Sequence, residues 1–303
     1  MKKAAFLLVF ACSLGLAGLA QETEDGLRGS LGVEFTVTPI APASLDVDTA
    51  ITASLSFAGA SVESRTVLSL AGLESEHMKL AIDLGGVTLA TGMRFDPCFS
   101  RYWIEVRGGC CPVELGALFL VENLAPACQT PSFTVGMALD FGLTFDPFFI
   151  RSITGFGVED LYHLIDEYPE TELTAVSGWW FSEELISVGF ATQCLYAESI
   201  FVLNELGFSW AQLNASYTWP DAGIQLGTRV WIDSSFAFSQ GDLILKVTID
   251  PVELRSVTSM NFSGFLGQRI DISVTFSGIK LYSRTSFTFA GLISEVLGFE
   301  LSF

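Results

Sequence analysis

Long rows in which apolar and polar side chains alternate constrain this chain more than any other feature. Leu45, Val47, Thr49, Ile51, Ala53, Leu55 and Phe57 alternate with Asp46, Asp48, Ala50, Thr52, Ser54 and Ser56. Phe133, Val135, Met137, Leu139, Phe141, Leu143 and Phe145 alternate with Thr134, Gly136, Ala138, Asp140, Gly142 and Thr144. Leu243, Leu245, Val247 and Ile249 oppose Asp242, Lys246 and Thr248, and Ile270, Ile272, Val274 and Phe276 oppose Asp271, Ser273, Thr275 and Ser277. A period of two puts the two sets on opposite faces of a β-strand. Several rows persist for nine to thirteen residues, whereas strands of a soluble sandwich run to about five or six. An all-β fold of long strands with one apolar face is predicted.

Both ends of the chain bear on where such strands would sit. Lys2 and Lys3 precede an apolar run from Ala4 to Ala17, followed by Gly18-Leu19-Ala20 and the polar Gln21 to Asp25. Charge, apolar core and small residues in that order make residues 1–20 a secretory signal cut after Ala20, leaving 21–303 as one domain. At the other end Leu297, Phe299, Leu301 and Phe303 face away from Gly298, Glu300 and Ser302, so the apolar row reaches the last residue. Without the signal the formal charge moves from −19 to −21, thirteen basic residues against 34 acidic ones. Such a surface excludes a nucleic-acid partner, because nothing would neutralise phosphates. Half the chain is nevertheless apolar and 16% is charged. No charge-free apolar run of 18 follows the signal, so no spanning helix is predicted. A closed β-barrel is the remaining structure that satisfies every backbone group in a bilayer.

The amphipathic last strand ending in Phe303, with Phe299 and Leu301 as an assembly signal, resembles that of bacterial outer-membrane β-barrels, and the secretory signal agrees with it. The resemblance implies a transmembrane antiparallel up-and-down barrel in the outer membrane, in contact with its lipid and with the barrel-assembly machinery. Dividing the chain by about 17 residues per strand and turn predicts about 16 strands, within a range of about 14 to 18. A porin-like channel for small solutes or ions is the function this implies. A non-conducting structural or adhesive barrel and a secreted soluble β-sandwich binding module are the alternatives; self-association is left open.

If the polar rows face a lumen, parity assigns to it Arg65, Asp140, Lys246, Glu253, Arg255, Asp271, Lys280 and Arg284, with Arg229 on the row of Gln225 and Asp233. Charge rings of this kind set selectivity in pores, and paired across strands they neutralise a filled interior. The excess acid falls mainly in loops, which raises the local concentration of cations at the mouth and predicts weak cation selectivity. Enzyme chemistry is not expected: His77 and His163 are the two histidines, and no nucleophile elbow, zinc motif or phosphate loop is present. No cofactor or metal is predicted.

The chain also repeats itself. Ile51 to Glu76 and Ile270 to Glu295 share 12 of 26 residues at a constant offset of 219, including Ser64-Arg65-Thr66 with Ser283-Arg284-Thr285. Asp96-Pro97, Asp146-Pro147 and Asp250-Pro251 are each followed by Arg four residues after the Pro, turn chemistry that reads as repeated hairpins. Val158 to Glu167 has helical spacing and predicts a short helix in the longest loop, where Asp160, Asp166, Glu167 and Glu170 form an acidic face. Five cysteines follow the signal, and a bridge from Cys98 to Cys110 or Cys111 is predicted because these bracket one strand.

Overall fold

The computed structural model describes residues 27–40, 44–125, 130–165, 173–176 and 178–303. Its strands are β1 (Arg28–Ile40), β2 (Ser44–Phe57), β3 (Ala60–Ser69), β4 (Gly72–Asp83), β5 (Val87–Phe95), β6 (Phe99–Cys110), β7 (Val113–Asn123), β8 (Phe133–Phe145) and β9 (Phe148–Phe156). The two-residue strands β10 (Val158–Glu159) and β11 (Thr174–Ala175) follow. The second half comprises β12 (Phe181–Ala191), β13 (Leu195–Asn204), β14 (Gly207–Trp219), β15 (Ile224–Ile232), β16 (Phe238–Ile249), β17 (Val252–Asn261), β18 (Gly264–Phe276), β19 (Ile279–Thr288) and β20 (Gly291–Ser302).

Apart from β10 and β11, which pair with each other, each strand runs antiparallel to its neighbour in sequence, and β9 pairs with β12. The last strand returns to the first, with Ser30 opposite Ser302 and Val37 opposite Glu295. Eighteen strands therefore form one closed up-and-down barrel. Closure removes both sheet edges, so no strand presents an unpaired row of backbone groups. Phe303 completes the seam, exchanging two backbone hydrogen bonds of 2.9 Å with Gly29. A single closed sheet excludes the β-sandwich alternative, and the strand number lies at the upper end of the range read from the sequence.

One parity of each strand faces inward. Val158 and Leu161, both 0% exposed, pack with Leu120, Ile153, Leu185 and Ile200, which fixes the inside of four strands. The pairing register carries that assignment from Leu120 through Trp103, Gly92, Lys79, Glu63, Ser54 and Ser30 to Ser302. The other parity, including Leu139, Phe141, Leu243, Leu245, Leu297 and Leu301, is an exposed apolar outer wall.

The two rims differ. One carries the chain termini and short turns of small or polar residues; the other carries the 157–180 connection and hairpins built to one plan. In four of these hairpins Ser69, Asn204, Asn261 or Thr288 accepts a hydrogen bond from the amide two residues on. Gly72, Gly207, Gly264 and Gly291 then turn the chain at φ between 112° and 122°, a region open to glycine without the Cβ penalty. A bulge follows each turn. On this rim Asp233 is held below the usual carboxylate range by hydrogen bonds from the Ser235 hydroxyl and the amides of Ala237 and Ser235.

The sequence duplication maps onto strands without offset. β2 and β18 end at Phe57 and Phe276, β3 and β19 start at Ala60 and Ile279, and β4 and β20 start at Gly72 and Gly291. The copies flank β1 across the seam. Of the Asp-Pro units, Asp146-Pro147 and Asp250-Pro251 lie at the terminal rim, whereas Asp96-Pro97 turns the chain at the opposite rim.

Some glycines make room for interior rings. A Cβ on Gly298 would lie 2.2 Å from Tyr282, whereas one on Gly32 meets nothing nearer than 3.6 Å. Gly298→Val should destabilise the barrel by about 1–3 kcal/mol through overpacking, read as a lower temperature at which the unheated compact gel band converts to the slower one. Gly32→Ala should leave that temperature unchanged or slightly raised.

Candidate functional site: the charged interior and its infolded segment

The described residues of the connection between β9 and β12 turn into the barrel, and residues 158–165 form no α-helix. Gly157 and Asp160 both take left-handed backbone conformations, at φ 63°, and interrupt the helical spacing read from the sequence. What forms is the β10–β11 bridge and a four-residue 3₁₀ turn, Leu161–Leu164. Asp166, Glu167 and Glu170 of the predicted acidic face lie outside the described residues. Asp160 accepts a 2.6 Å hydrogen bond from Thr174.

Wall side chains hold the segment. Ser182 Oγ donates to the Val158 carbonyl at 2.5 Å and accepts from its amide at 3.1 Å. The Leu161 amide donates to Glu183 at 2.7 Å, and the Ala175 amide to Glu122 at 2.8 Å. Thr134 Oγ1 donates to the Val176 carbonyl at 3.2 Å. These polar anchors surround an apolar contact in which Leu161, Val158, Leu173 and Ala175 pack on Leu118, Leu120, Ile153, Leu185, Ile200 and Val202. The rings of Tyr162 and Trp210 meet edge to face at 5.3 Å. The described residues of the segment are therefore fixed to the β7–β14 side of the interior.

The interior is strongly charged around the whole barrel, the β7–β9 wall included. All thirteen Lys and Arg residues after Lys2 and Lys3 fall on the interior parity. Asp271 lies 3.0 Å from Arg284 and 3.1 Å from Arg269, and Lys246 lies 3.1 Å from Glu253. Arg65 is 3.6 Å from Glu34, which also accepts a 3.1 Å hydrogen bond from Tyr282. Asp140 is 2.5 Å from Arg151 and 3.4 Å from Arg107, which itself pairs closely with Glu105. Arg101 and Glu122 are 2.7 Å apart. Arg229 stands opposite Asp242 with its guanidinium 5.8 Å from the Trp231 ring centre; Arg255 stands opposite Asp271, and Lys280 opposite Glu300.

The residues singled out by parity thus share one face, and two pairs among them, Lys246 with Glu253 and Asp271 with Arg284, are in contact. Their remaining partners, Glu34, Arg107, Arg151 and Arg269, were not singled out, although each has the same parity. Sequence reading also missed the seat of the infolded segment. Its signal was available: Ala117 to Val121 and Ile200 to Leu203 are apolar at both parities, the mark of a strand covered on two faces. Between the segment and β13–β17 lies a cavity of about 470 Å³ lined by Tyr162, Glu198, Asn214, Arg229, Lys246 and Arg255, among others.

The cysteine prediction needs correction. Cys98 is disulfide-bonded, but Cys110 and Cys111 are free thiols. They sit at the terminal rim, the far end of β6 from Cys98. Strand length separates what sequence proximity suggested was adjacent, and the partner of Cys98 lies outside the described residues.

The fold has solved counterparts. A chain described as "Asymmetric conductivity of engineered proteins" is similar with a TM-score of 0.51 at 10% identity, over 92% of this chain and 100% of that one. Mutants of the Rhodopseudomonas blastica porin align at TM-scores of 0.45 and 0.44 with 11% and 12% identity, over 92% of this chain and 100% and 99% of theirs. No protein-family model matches the chain, and no curated protein matches it in sequence.

Ser182→Ala removes both hydrogen bonds to Val158 and should cost the segment's docking about 1–3 kcal/mol. Faster hydrogen exchange at the Val158 and Leu161 amides, with the exchange of β16–β19 unchanged, is the expected result.

Proposed function

We propose that residues 1–20 export the chain and that the barrel crosses the outer membrane as a channel through which small solutes diffuse. The observation that carries this is the partition of the wall. Among the described residues every basic side chain lies on the interior parity, the outer parity is a nearly continuous apolar surface, and the described part of the infolded segment packs on one side of the interior. A surface of that kind is stable against hydrocarbon and unfavourable in water, where an exposed apolar patch on a soluble protein rarely exceeds a few hundred Å².

Arg65, Asp140, Arg229, Lys246, Glu253, Arg255, Asp271, Lys280 and Arg284 then line the path. Paired in contact or opposed in register, they form a polar interior whose charges offset one another, so selectivity comes from the mouths, where Asp96, Asp146, Glu205, Asp221, Asp233 and Asp250 stand in the rim turns. Acidic mouths concentrate cations within about a Debye length, roughly 8 Å at physiological salt. Phe299, Leu301 and Phe303, on the strand that closes the seam, serve as the signal for the assembly machinery.

In a planar bilayer with a salt gradient, the folded protein is expected to give discrete conductance steps. The reversal potential should favour cations weakly at neutral pH and move toward zero as pH falls through the carboxylate range. Anion-favouring reversal would overturn the selectivity, and a folded barrel without conductance would favour the structural-barrel alternative.

A further inference from the structure

Polar groups on the interior wall are met by partners to very different degrees. On β13, Glu198 accepts three hydrogen bonds, from Ser187 at 2.5 Å, Tyr196 at 2.7 Å and the Asn214 amide at 2.9 Å. Asp140 and Asp271 each meet two guanidinium groups. The neighbouring strands β14–β16 hold the other extreme. Asp242 is 8% exposed, and its one side-chain hydrogen bond among the described residues comes from Gln240 at 3.3 Å. Arg229 stands opposite Asp242 in register without reaching ion-pair distance and lies over the Trp231 ring instead. On β14, Gln212 is fully buried opposite Trp231 with neither Nε2 nor Oε1 bonded, and Asn214 Oδ1, opposite Arg229, also lacks a partner. Native interiors rarely leave buried polar atoms in this state.

Four of these residues share one space. Arg229, Trp231, Gln240 and Asp242 line a cavity of about 370 Å³, together with Ser259 and Ser286 of the interior parity. That volume lies within the range of small-molecule sites, about 300–1,000 Å³. Arg229 also lines the 470 Å³ cavity beside the infolded segment, as does Asn214, so the two spaces adjoin.

Chemistry selects the ligand. One guanidinium stands across from one carboxylate, and Arg269, which also borders the cavity, is engaged by Asp271 at 3.1 Å. The charges offset one another, so a net charge on the ligand gains nothing. A carboxylate presents two acceptors, a guanidinium paired donors, and a carboxamide one of each. Vicinal hydroxyls, each able to donate and accept, match such pairs, and the indole offers a broad apolar face to C–H groups. We propose that this cavity binds a neutral polyhydroxylated solute, a sugar or polyol, with its carbon skeleton against Trp231 and its hydroxyls on Asp242, Gln240 and Arg229. The inference rests on the channel reading above and names the class of solute held on its way through. Hydroxyls bound there supply Asp242 with the donors it lacks, and the adjoining cavity at Asn214 extends the polar track for a longer solute.

Binding and conduction are measured separately. With the protein folded in a detergent that has no sugar headgroup, calorimetric titration with glucose or sucrose should show saturable binding, and gluconate should bind no more tightly than glucose. Trp231→Leu and Asp242→Asn should each weaken glucose binding about tenfold or more while keeping the compact unheated gel band. Asp242→Asn preserves the shape of the side chain, so its loss of binding reports the carboxylate and not a void. In bilayers the same sugars should reduce the current of the unaltered channel saturably, with half-effect at the concentration that half-saturates binding. Conductance without saturable binding, equal binding by both variants, or a preference for gluconate would overturn the proposal and leave the channel standing. Saturable, variant-sensitive binding without conductance would support the sugar site and contradict the channel reading.

Discussion

The pairing of β1 with β20 is the contact on which the rest of the structure depends. An open eighteen-stranded sheet would leave two edges of unpaired amides and carbonyls and could not hold an inside distinct from an outside. Once Ser30 is set opposite Ser302 and Gly29 binds Phe303, every strand has two neighbours and each residue's parity decides its solvent. A one-residue slip at the seam would invert the wall. The duplicated hairpins on either side of β1 carry the same parity up to the seam from both directions.

Closure then organises the charges. Because the basic residues all share the interior parity, carboxylates on neighbouring strands can reach them, and the short pairs around Asp140 and Asp271 follow. The infolded segment packs on an apolar region of the interior, formed by Leu118, Leu120, Ile153, Leu185, Ile200 and Val202. It brings its own backbone polar groups inside, and these are met by Ser182, Glu183, Glu122 and Thr134. Its described residues dock on the β7–β14 wall, where Glu122, Asp140 and Arg151 also stand, so apolar packing and ion pairs share that side of the interior.

Much of this was legible in the sequence because a β-strand's period is local. The rows beginning at Leu45, Phe133, Leu243 and Ile270 determine their own inside and outside, and the offset-219 repeat reproduces strand ends without a gap. The connection after β9 was not legible in the same way. The spacing of Val158, Leu161, Leu164 and Ile165 suits a helix, but the left-handed conformations at Gly157 and Asp160 and the tertiary seat on Leu120, Ile153 and Leu185 prevailed over it. The cysteine pairing failed for a geometric reason: Cys98 and Cys110 bracket one extended strand and are held apart by its length. Ion-pair partners depend on register between strands, which no single row specifies.

The most direct test of the inside–outside assignment compares adjacent residues of β16. In variants with the free cysteines replaced by Ser, a fluorophore is attached at Leu245→Cys or at Lys246→Cys, and the labelled proteins are folded into lipid vesicles. The label at 245 should be quenched by a nitroxide carried on lipid tails and shielded from aqueous iodide, with the reverse at 246. Equal access of iodide to both positions, or quenching of 246 by the lipid probe, would contradict an apolar wall enclosing a polar interior.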